Sequence, residues 1–376
     1  MPSTQMDEAE QPTKYDERDT LFARLQLVAG SDEYEEYYRR HPERRKDDDA
    51  LRDRGGLARL ILGGGLSVEQ IQALKPRPDE MPKLLERLTD EDLVRALIDD
   101  STAVINDIVV ADLRRRPAGR RVTLLPDRAS ALIKEVARFY GAALVGITEM
   151  QDNDYYTHRR SGAPVSRDFR FAVVFAVAMD RELIDCAPRR ETLLATCNGY
   201  VEAAHVGARL SGFIKSIGYE TSLNSMARYD APLVPLAGKA GLGQRGRCHF
   251  LVTKEFGNRV RLGAVLTNLP LEVDEPIDFG LPEFCALCGQ CAVNCPSKAL
   301  SGPPRMVNDH PVWQFDEVKC FHMWTEYATD CGICIASCPF SRDTDQEKIE
   351  AMKGEPDLMW DILREDRERY SGGRSL

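Results

Sequence analysis

Cys285-Ala286-Leu287-Cys288-Gly289-Gln290-Cys291-Ala292-Val293-Asn294-Cys295-Pro296 places four thiols at x2, x2 and x3 spacing and closes on a proline. A second run, Cys331-Gly332-Ile333-Cys334-Ile335-Ala336-Ser337-Cys338-Pro339, follows a separate Cys320. This spacing wraps three thiolates around one face of a cubane, while the fourth Cys, just before Pro, points into a second cluster. Two 4Fe-4S clusters are the direct reading. The expected wiring is reciprocal, with Cys285, Cys288, Cys291 and Cys338 on one cluster and Cys320, Cys331, Cys334 and Cys295 on the other. Structural zinc would need two tetrahedral sites, and four thiolates crowded into residues 285–295 suit a cubane better.

Outward from these runs, the remaining Cys186, Cys197 and Cys248 read as free thiols, and thiolate-held clusters fit a reducing compartment. The 376 residues suffice for two or three modules, and 43% hydrophobic content supports a proper core. A formal net charge of -10 argues against a nonspecific nucleic-acid binder, which would carry a basic surface. No apolar run reaches the roughly 20 residues of a membrane span, and the acidic, polar N-terminus is unlike a signal peptide. The expectation is a cytoplasmic protein without a membrane partner.

Residues 1–125 are charge-rich and read as a mostly helical region, with the first ~20 residues expected to be disordered. Helical stretches at Val68 to Leu74 and Met81 to Ile98 are broken by Gly63-Gly64-Gly65, Pro76 and Pro78. From 126 to 281 the pattern alternates. A helix is expected over Ala129 to Tyr140, a strand over Ala142 to Ile147, a strand buried on both faces over Phe171 to Ala178, and a long helix over Arg190 to Ile217. Further strands fall at Cys248 to Thr253 and Arg261 to Leu266. Strands alternating with helices indicate an α/β layer domain. The cluster loops occupy 282–342, and a charged tail, 343–376, closes the chain.

Gly241-Leu242-Gly243-Gln244-Arg245-Gly246 matches the dinucleotide-binding fingerprint letter for letter. That fingerprint works between a strand and a helix N-terminus. Here the preceding residues make a poor strand and the following ones read as a strand. The loop is therefore a glycine-rich turn that lets backbone approach a large flat ligand or its phosphate, or a plain tight turn.

Three stretches, Ala240 to Arg247, Lys254-Glu255-Phe256-Gly257-Asn258-Arg259-Val260-Arg261 and Leu266-Thr267-Asn268-Leu269-Pro270-Leu271, together with both cysteine runs, resemble the corrinoid and iron-sulfur reductive dehalogenases. Epoxyqueuosine reductases share much of the pattern. The resemblance implies a nitroreductase-like α/β (α+β) corrinoid-binding domain with a C-terminal ferredoxin-like module of two 4Fe-4S clusters. It implies a cobalamin-type cobamide held base-off without a protein ligand, near Gly241, Leu242, Gly243, Gly246 and Arg247. It implies reductive removal of halide from a small organohalide through Co(I), with electrons from an external ferredoxin or flavodoxin.

Such chemistry also needs a proton donor. Tyr200 matches the family's tyrosine, and at 100° per residue it lies about 120° off the apolar stripe Val206, Leu210, Phe213 and Ile217, so it can face a cavity. A phenol is a sluggish acid at neutral pH and wants a fixed cation to stabilise the phenolate. Arg261 matches the family's arginine for that role. Asn224 matches a polar residue that hydrogen-bonds the tyrosine, with Ser225 or Arg228 as alternatives for its place. His322, Met323 and Trp324 are candidates to line the substrate cavity. Two other readings stay open: a tRNA-modifying epoxyqueuosine reductase using Asp230 before Ala231-Pro232, and a non-catalytic corrinoid or iron-sulfur electron carrier.

Overall fold

The computed structural model describes residues 14–55, 91–300, 304–307, 310–327, 329–342 and 344–370. The helical stretch Val68 to Leu74, the breaks at Gly63 to Gly65, Pro76 and Pro78, the first residues of the Met81 to Ile98 stretch and positions 1–13 of the expected disordered start lie outside these residues.

The described N-terminal part is helical: α1 (Leu21–Gln26), α2 (Asp32–Arg40), α3 (Pro42–Asp53) and α4 (Glu91–Arg114). Thr20 and Ser31 cap α1 and α2, their hydroxyls accepting from the Ala23 and Tyr34 backbone N–H groups. The central part runs α5 (Pro126–Phe139), β1 (Leu144–Glu149), β2 (Phe171–Ala178), α6 (Arg181–Asp185), α7 (Arg190–Ser216), β3 (Thr221–Asn224), α8 (Leu233–Lys239), β4 (Gln244–Arg245), β5 (Leu251–Val252) and β6 (Val260–Thr267).

One sheet of order β1-β2-β6-β3 organises this part, and every neighbouring pair is antiparallel. The layered domain is thus of the α+β kind. Period-two alternation explains how β2 serves two cores. Val173, Phe175 and Val177 pack on Ile133 and Ala137 of α5 and Val206, Leu210 and Ile214 of α7. Ala172, Val174 and Ala176 face Leu236 and Ala237 of α8 on the other side. Seven of its eight residues are buried, as a strand covered on both faces requires.

The C-terminal part holds α9 (Leu281–Cys288), α10 (Gln290–Val293), a hairpin of β7 (Arg305–Val307) and β8 (His310–Val312), α11 (Glu317–Tyr327), α12 (Ile333–Ala336), α13 (Gln346–Ala351) and α14 (Pro356–Tyr370). The segment read as a charged tail is largely built structure. Ile349, Met352, Met359, Ile362 and Leu363 bury their side chains against Phe279, Phe284 and Phe340. Charges outnumber apolar residues in α14, and only their helical spacing marks the buried face.

Two buried ion pairs fix the outer helices. Lys215 of α7 (3% exposed) meets the Asp112 carboxylate of α4 at 3.0 Å, and Ser211 Oγ donates to the same oxygen at 2.6 Å. Arg24 of α1 bridges Asp48 of α3 (2.8 Å) and Glu317 of α11 (2.7 Å). Removing one partner of such a pair strands the other charge in a low-dielectric interior. Asp112→Ala is expected to lower the unfolding free energy by about 3–5 kcal/mol, measured by anaerobic denaturant unfolding. A loss below ~1 kcal/mol would mean that the pair behaves as a solvated surface bridge.

Candidate active site

A cavity of about 280 Å³ is lined by Cys320, Cys331 and Cys334 together with Cys295 from the first run. Cys338 packs with Cys285, Cys288 and Cys291 around Phe284 and Phe340. Each run's last cysteine therefore sits with the other run's thiols. Burial pushes Cys320 up to about 12, with Cys331 and Cys295 adding to the effect. Burial, then Cys248, Cys285, Cys288 and Cys291, holds the Cys338 thiol well above its ordinary value. Left to themselves these thiols are neutral, and bound iron would supply the positive charge that makes them thiolates. Sulfurs on one zinc stand about 3.8 Å apart, from a Zn–S bond of ~2.3 Å. Among the described residues no group of three His, Cys, Asp or Glu is disposed to hold a single metal ion. The donors at each site are four thiols, the set a 4Fe-4S cluster takes.

A second cavity, about 240 Å³, lies alongside, and Tyr200, Phe250 and Arg261 line both. Its walls include Tyr156, Tyr229, Leu233, Val234 and Leu262. Tyr200 belongs to α7 and Arg261 to β6, and Gly199 lets them meet. A Cβ at Gly199 would stand 2.8 Å from Arg261 Cγ, so any side chain there would displace the arginine. The Arg261 guanidinium lies 4.9 Å from the centroid of the Tyr200 ring. Its Nη2 donates to Thr196 Oγ1 at 2.9 Å and stands 4.0 Å from Asp330 Oδ2, while its Nε is buried without a partner. The cation therefore addresses the face of the phenol ring, a cation–π geometry. Burial raises Asp330 above the usual carboxylate range, against the pull of Arg261 and Thr196. Burial, with Tyr200 beside it, holds Tyr229 well above the ordinary phenol value.

Asn224 lies apart from this group. It is fully buried at the end of β3 and lines neither cavity. Its Oδ1 accepts from the Asp230 backbone N–H at 2.6 Å and its Nδ2 donates to the Ser222 carbonyl at 3.3 Å. It is a turn-forming asparagine here, a frequent use of that side chain. Neither Ser225 nor Arg228 lines the second cavity. Asp230 is 2% exposed and held by Arg159 at 2.6 Å and Ser222 at 2.5 Å. Asn224 and Asp230 fix the 222–230 turn.

The glycine loop follows a helix, α8, and runs into β4, so the dinucleotide context is missing. Its glycines face the chain itself. A Cβ at Gly243 would stand 2.3 Å from the Val252 carbonyl oxygen, and Gly241, with φ of +74°, has the Glu275 carbonyl at 2.6 Å. Gly246 is similarly closed by the Val252 side chain at 2.7 Å, and Leu242 is a core residue. Self-packing accounts for these glycines, so Gly243→Val would disturb the β4–β5 hairpin whatever the loop binds. Arg247 turns toward the first run, over the Trp313 ring at 5.7 Å, with its Nε buried and unpartnered.

Met323 and Trp324 line the first cavity, whereas His322 is paired with Arg54 and Glu326. Thr20, Leu21 and Phe22 roof the same cavity, and Phe22 packs on Trp324 with ring centroids 5.8 Å apart. Cys248, read only as a spare thiol, lines it too and accepts from Asn258 Nδ2 at 3.2 Å. None of the eleven cysteines forms a disulfide. Thr196 and Asp330 were not singled out from the sequence. Thr196 stands four residues before Tyr200 on one helix face, a signal that was available.

Residues 284–341 match the 4Fe-4S dicluster domain family. A tetrachloroethene reductive dehalogenase of Sulfurospirillum multivorans is 33% identical over 272 residues, 61% of this chain and 53% of that protein. The solved structure of the catabolic reductive dehalogenase NpRdhA, in complex with 3-bromo-4-hydroxybenzoic acid, superposes with a TM-score of 0.64 at 27% identity, covering 72% of this chain and 41% of that one. This chain is a relative of the reductive dehalogenases. It spans about half the length of the curated relative it matches, and it carries their fold with a C-terminal 4Fe-4S dicluster module. An epoxyqueuosine reductase of Lactococcus garvieae is 34% identical over a shorter stretch, 132 residues, or 33% of this chain and 36% of that protein.

Proposed function

We propose that this reductive dehalogenase relative is itself an oxidoreductase that replaces a carbon-bound halogen with hydrogen, using two 4Fe-4S clusters and a cobamide. The observation that carries the reading is the junction at Tyr200 and Arg261, where a phenol and a cation face both the site of Cys295, Cys320, Cys331 and Cys334, called distal for its place in the sequence, and the neighbouring cavity. The balance is R–X plus two electrons and one proton, giving R–H and halide. The eight cysteines would hold the clusters that deliver electrons singly. A reduced cobamide, when bound, supplies a strongly nucleophilic metal for breaking the carbon–halogen bond.

The second cavity, about 240 Å³, would receive part of such a ring. Its lining is apolar and phenolic with one guanidinium and the Asn258 amide, and includes no histidine, cysteine or carboxylate that would ligate a metal. Tyr156, Tyr229, Leu233, Val234 and Leu262 would hold the ring by packing, and the orphaned Arg261 Nε offers a donor there. Tyr200 then keeps a proton on Oη at the wall between the two cavities. Arg261, above its ring, favours the negative charge that develops as the proton leaves. Phe22 and Trp324 form an aromatic roof over the first cavity. Among the described residues no helix is long and apolar enough to cross a membrane. An external ferredoxin or flavodoxin as donor, and a cytoplasmic setting, complete the proposal.

The assay is halide release from a small halogenated aromatic and a chlorinated ethene, with reduced methyl viologen supplying electrons to anaerobically reconstituted protein. Halide release in step with substrate loss is the expected result. Turnover of epoxyqueuosine in tRNA instead, lost in Asp230→Asn, would overturn it. The pairing of Asp230 with Arg159 and Ser222 favours the first outcome, since that carboxylate is already engaged.

A further inference from the structure

Asp330 directly precedes the cluster ligand Cys331, and its side chain is 14% exposed. It lines the cluster cavity together with Thr196, Tyr200 and Arg261. Arg261 reaches this place from the start of β6, and its anchors are few. Thr196 takes one hydrogen from Nη2, Nε has no partner, and the carboxylate of Asp330 is the anion beside the guanidinium. A hydroxyl can orient one N–H but leaves the charge uncompensated. A half-buried cation without a counter-charge turns toward solvent.

We infer that Asp330 is a positioning residue that keeps the Arg261 guanidinium over the Tyr200 ring. The loop that carries the distal cluster's ligands thereby also sets the electrostatics of the proton donor. This deepens the dehalogenase reading and rests on it for its kinetic consequence, though the positional claim stands on the geometry alone.

The test compares Asp330→Asn, Arg261→Gln and the double variant as fully loaded proteins, with iron content checked in each. Asn keeps the shape and the oxygen acceptor but removes the charge. Crystal structures should show the guanidinium stacked on Tyr200 in the native chain and moved off the ring in Asp330→Asn. Turnover in Asp330→Asn should fall about tenfold at nearly constant KM. The double variant should lie within about twofold of Arg261→Gln alone, because a residue acting through Arg261 has no further effect once Arg261 is gone. Losses that multiply, or a guanidinium that stays stacked without Asp330, would overturn the inference. If Asp330→Asn fails to load iron, Thr196→Val leaves Asp330 as the sole anchor. The guanidinium then stays on the ring if the inference holds and leaves it if not. A native protein that releases no halide would defeat the dehalogenase reading, and the crystallographic comparison would still decide the position of Arg261.

Discussion

Tyr200→Phe is expected to release halide at least ~100-fold more slowly than the native chain while both clusters and the cobamide stay loaded, the low end of what lost general-acid catalysis costs. The geometry makes this substitution unusually clean. Arg261 contacts the face of the ring, 4.9 Å from its centroid, and a phenylalanine ring keeps that contact. The helix turn, the Gly199 approach and both cavity walls are likewise indifferent to the hydroxyl. Only the O–H is lost. Halide release should be followed across pH with iron and cobalt measured in each preparation. Near-native turnover by fully loaded Tyr200→Phe would show that the proton comes from elsewhere, and the half-buried Tyr229, on the same cavity wall, would be the group to change next.

Cys295→Ser should empty or convert the cluster held by Cys320, Cys331 and Cys334, even though Cys295 belongs to the first run. The reason is positional: Cys295 lines the cavity of the second run's thiols, while Cys338 stands with Cys285, Cys288 and Cys291. A native chain is expected to bind about eight iron and eight sulfide. The variant should retain the spectrum of the first-run cluster, identified independently by Cys288→Ser, and lose that of the other. Because the distal cluster site adjoins Tyr200, halide release should stop with it. Loss of the first-run signal instead would mean that each run wraps its own cluster.

The cysteine runs were legible because cluster ligation is written in local spacing, β2 because a strand buried on both faces is a continuous apolar run, and α7 because its buried stripe repeats at helical spacing. The meeting of Tyr200 with Arg261 was legible only through resemblance, since it joins a helix to a strand 61 residues later. The glycine loop matches a dinucleotide fingerprint in its letters, its flanking residues already argue against that use, and carbonyls at Glu275 and Val252 close on Gly241 and Gly243. Asn224 was placed at the tyrosine on register alone, and the nearer demand, capping the turn before Asp230, claims its side chain. Asp330 gave no signal, because its partners Thr196 and Arg261 come from elements far away in the chain. Helices α13 and α14 were hidden by their charge.

The bridge from Arg24 to Glu317 spans 293 residues, the length of nearly the whole protein. In time, this is a statement about order of construction. As the chain is made from its N-terminus, α1 and α3 emerge and can pair through Arg24 and Asp48 long before their third partner exists. Thr20, Leu21 and Phe22 can close over Cys320 only after α11 has been synthesised and has come to meet them, and contacts of such long separation form late. The distal site therefore passes through a stage in which all its thiols are present and its roof is still open. Iron and sulfide would have their freest entry in that interval, before the pairing of α1 with α11 narrows the way in.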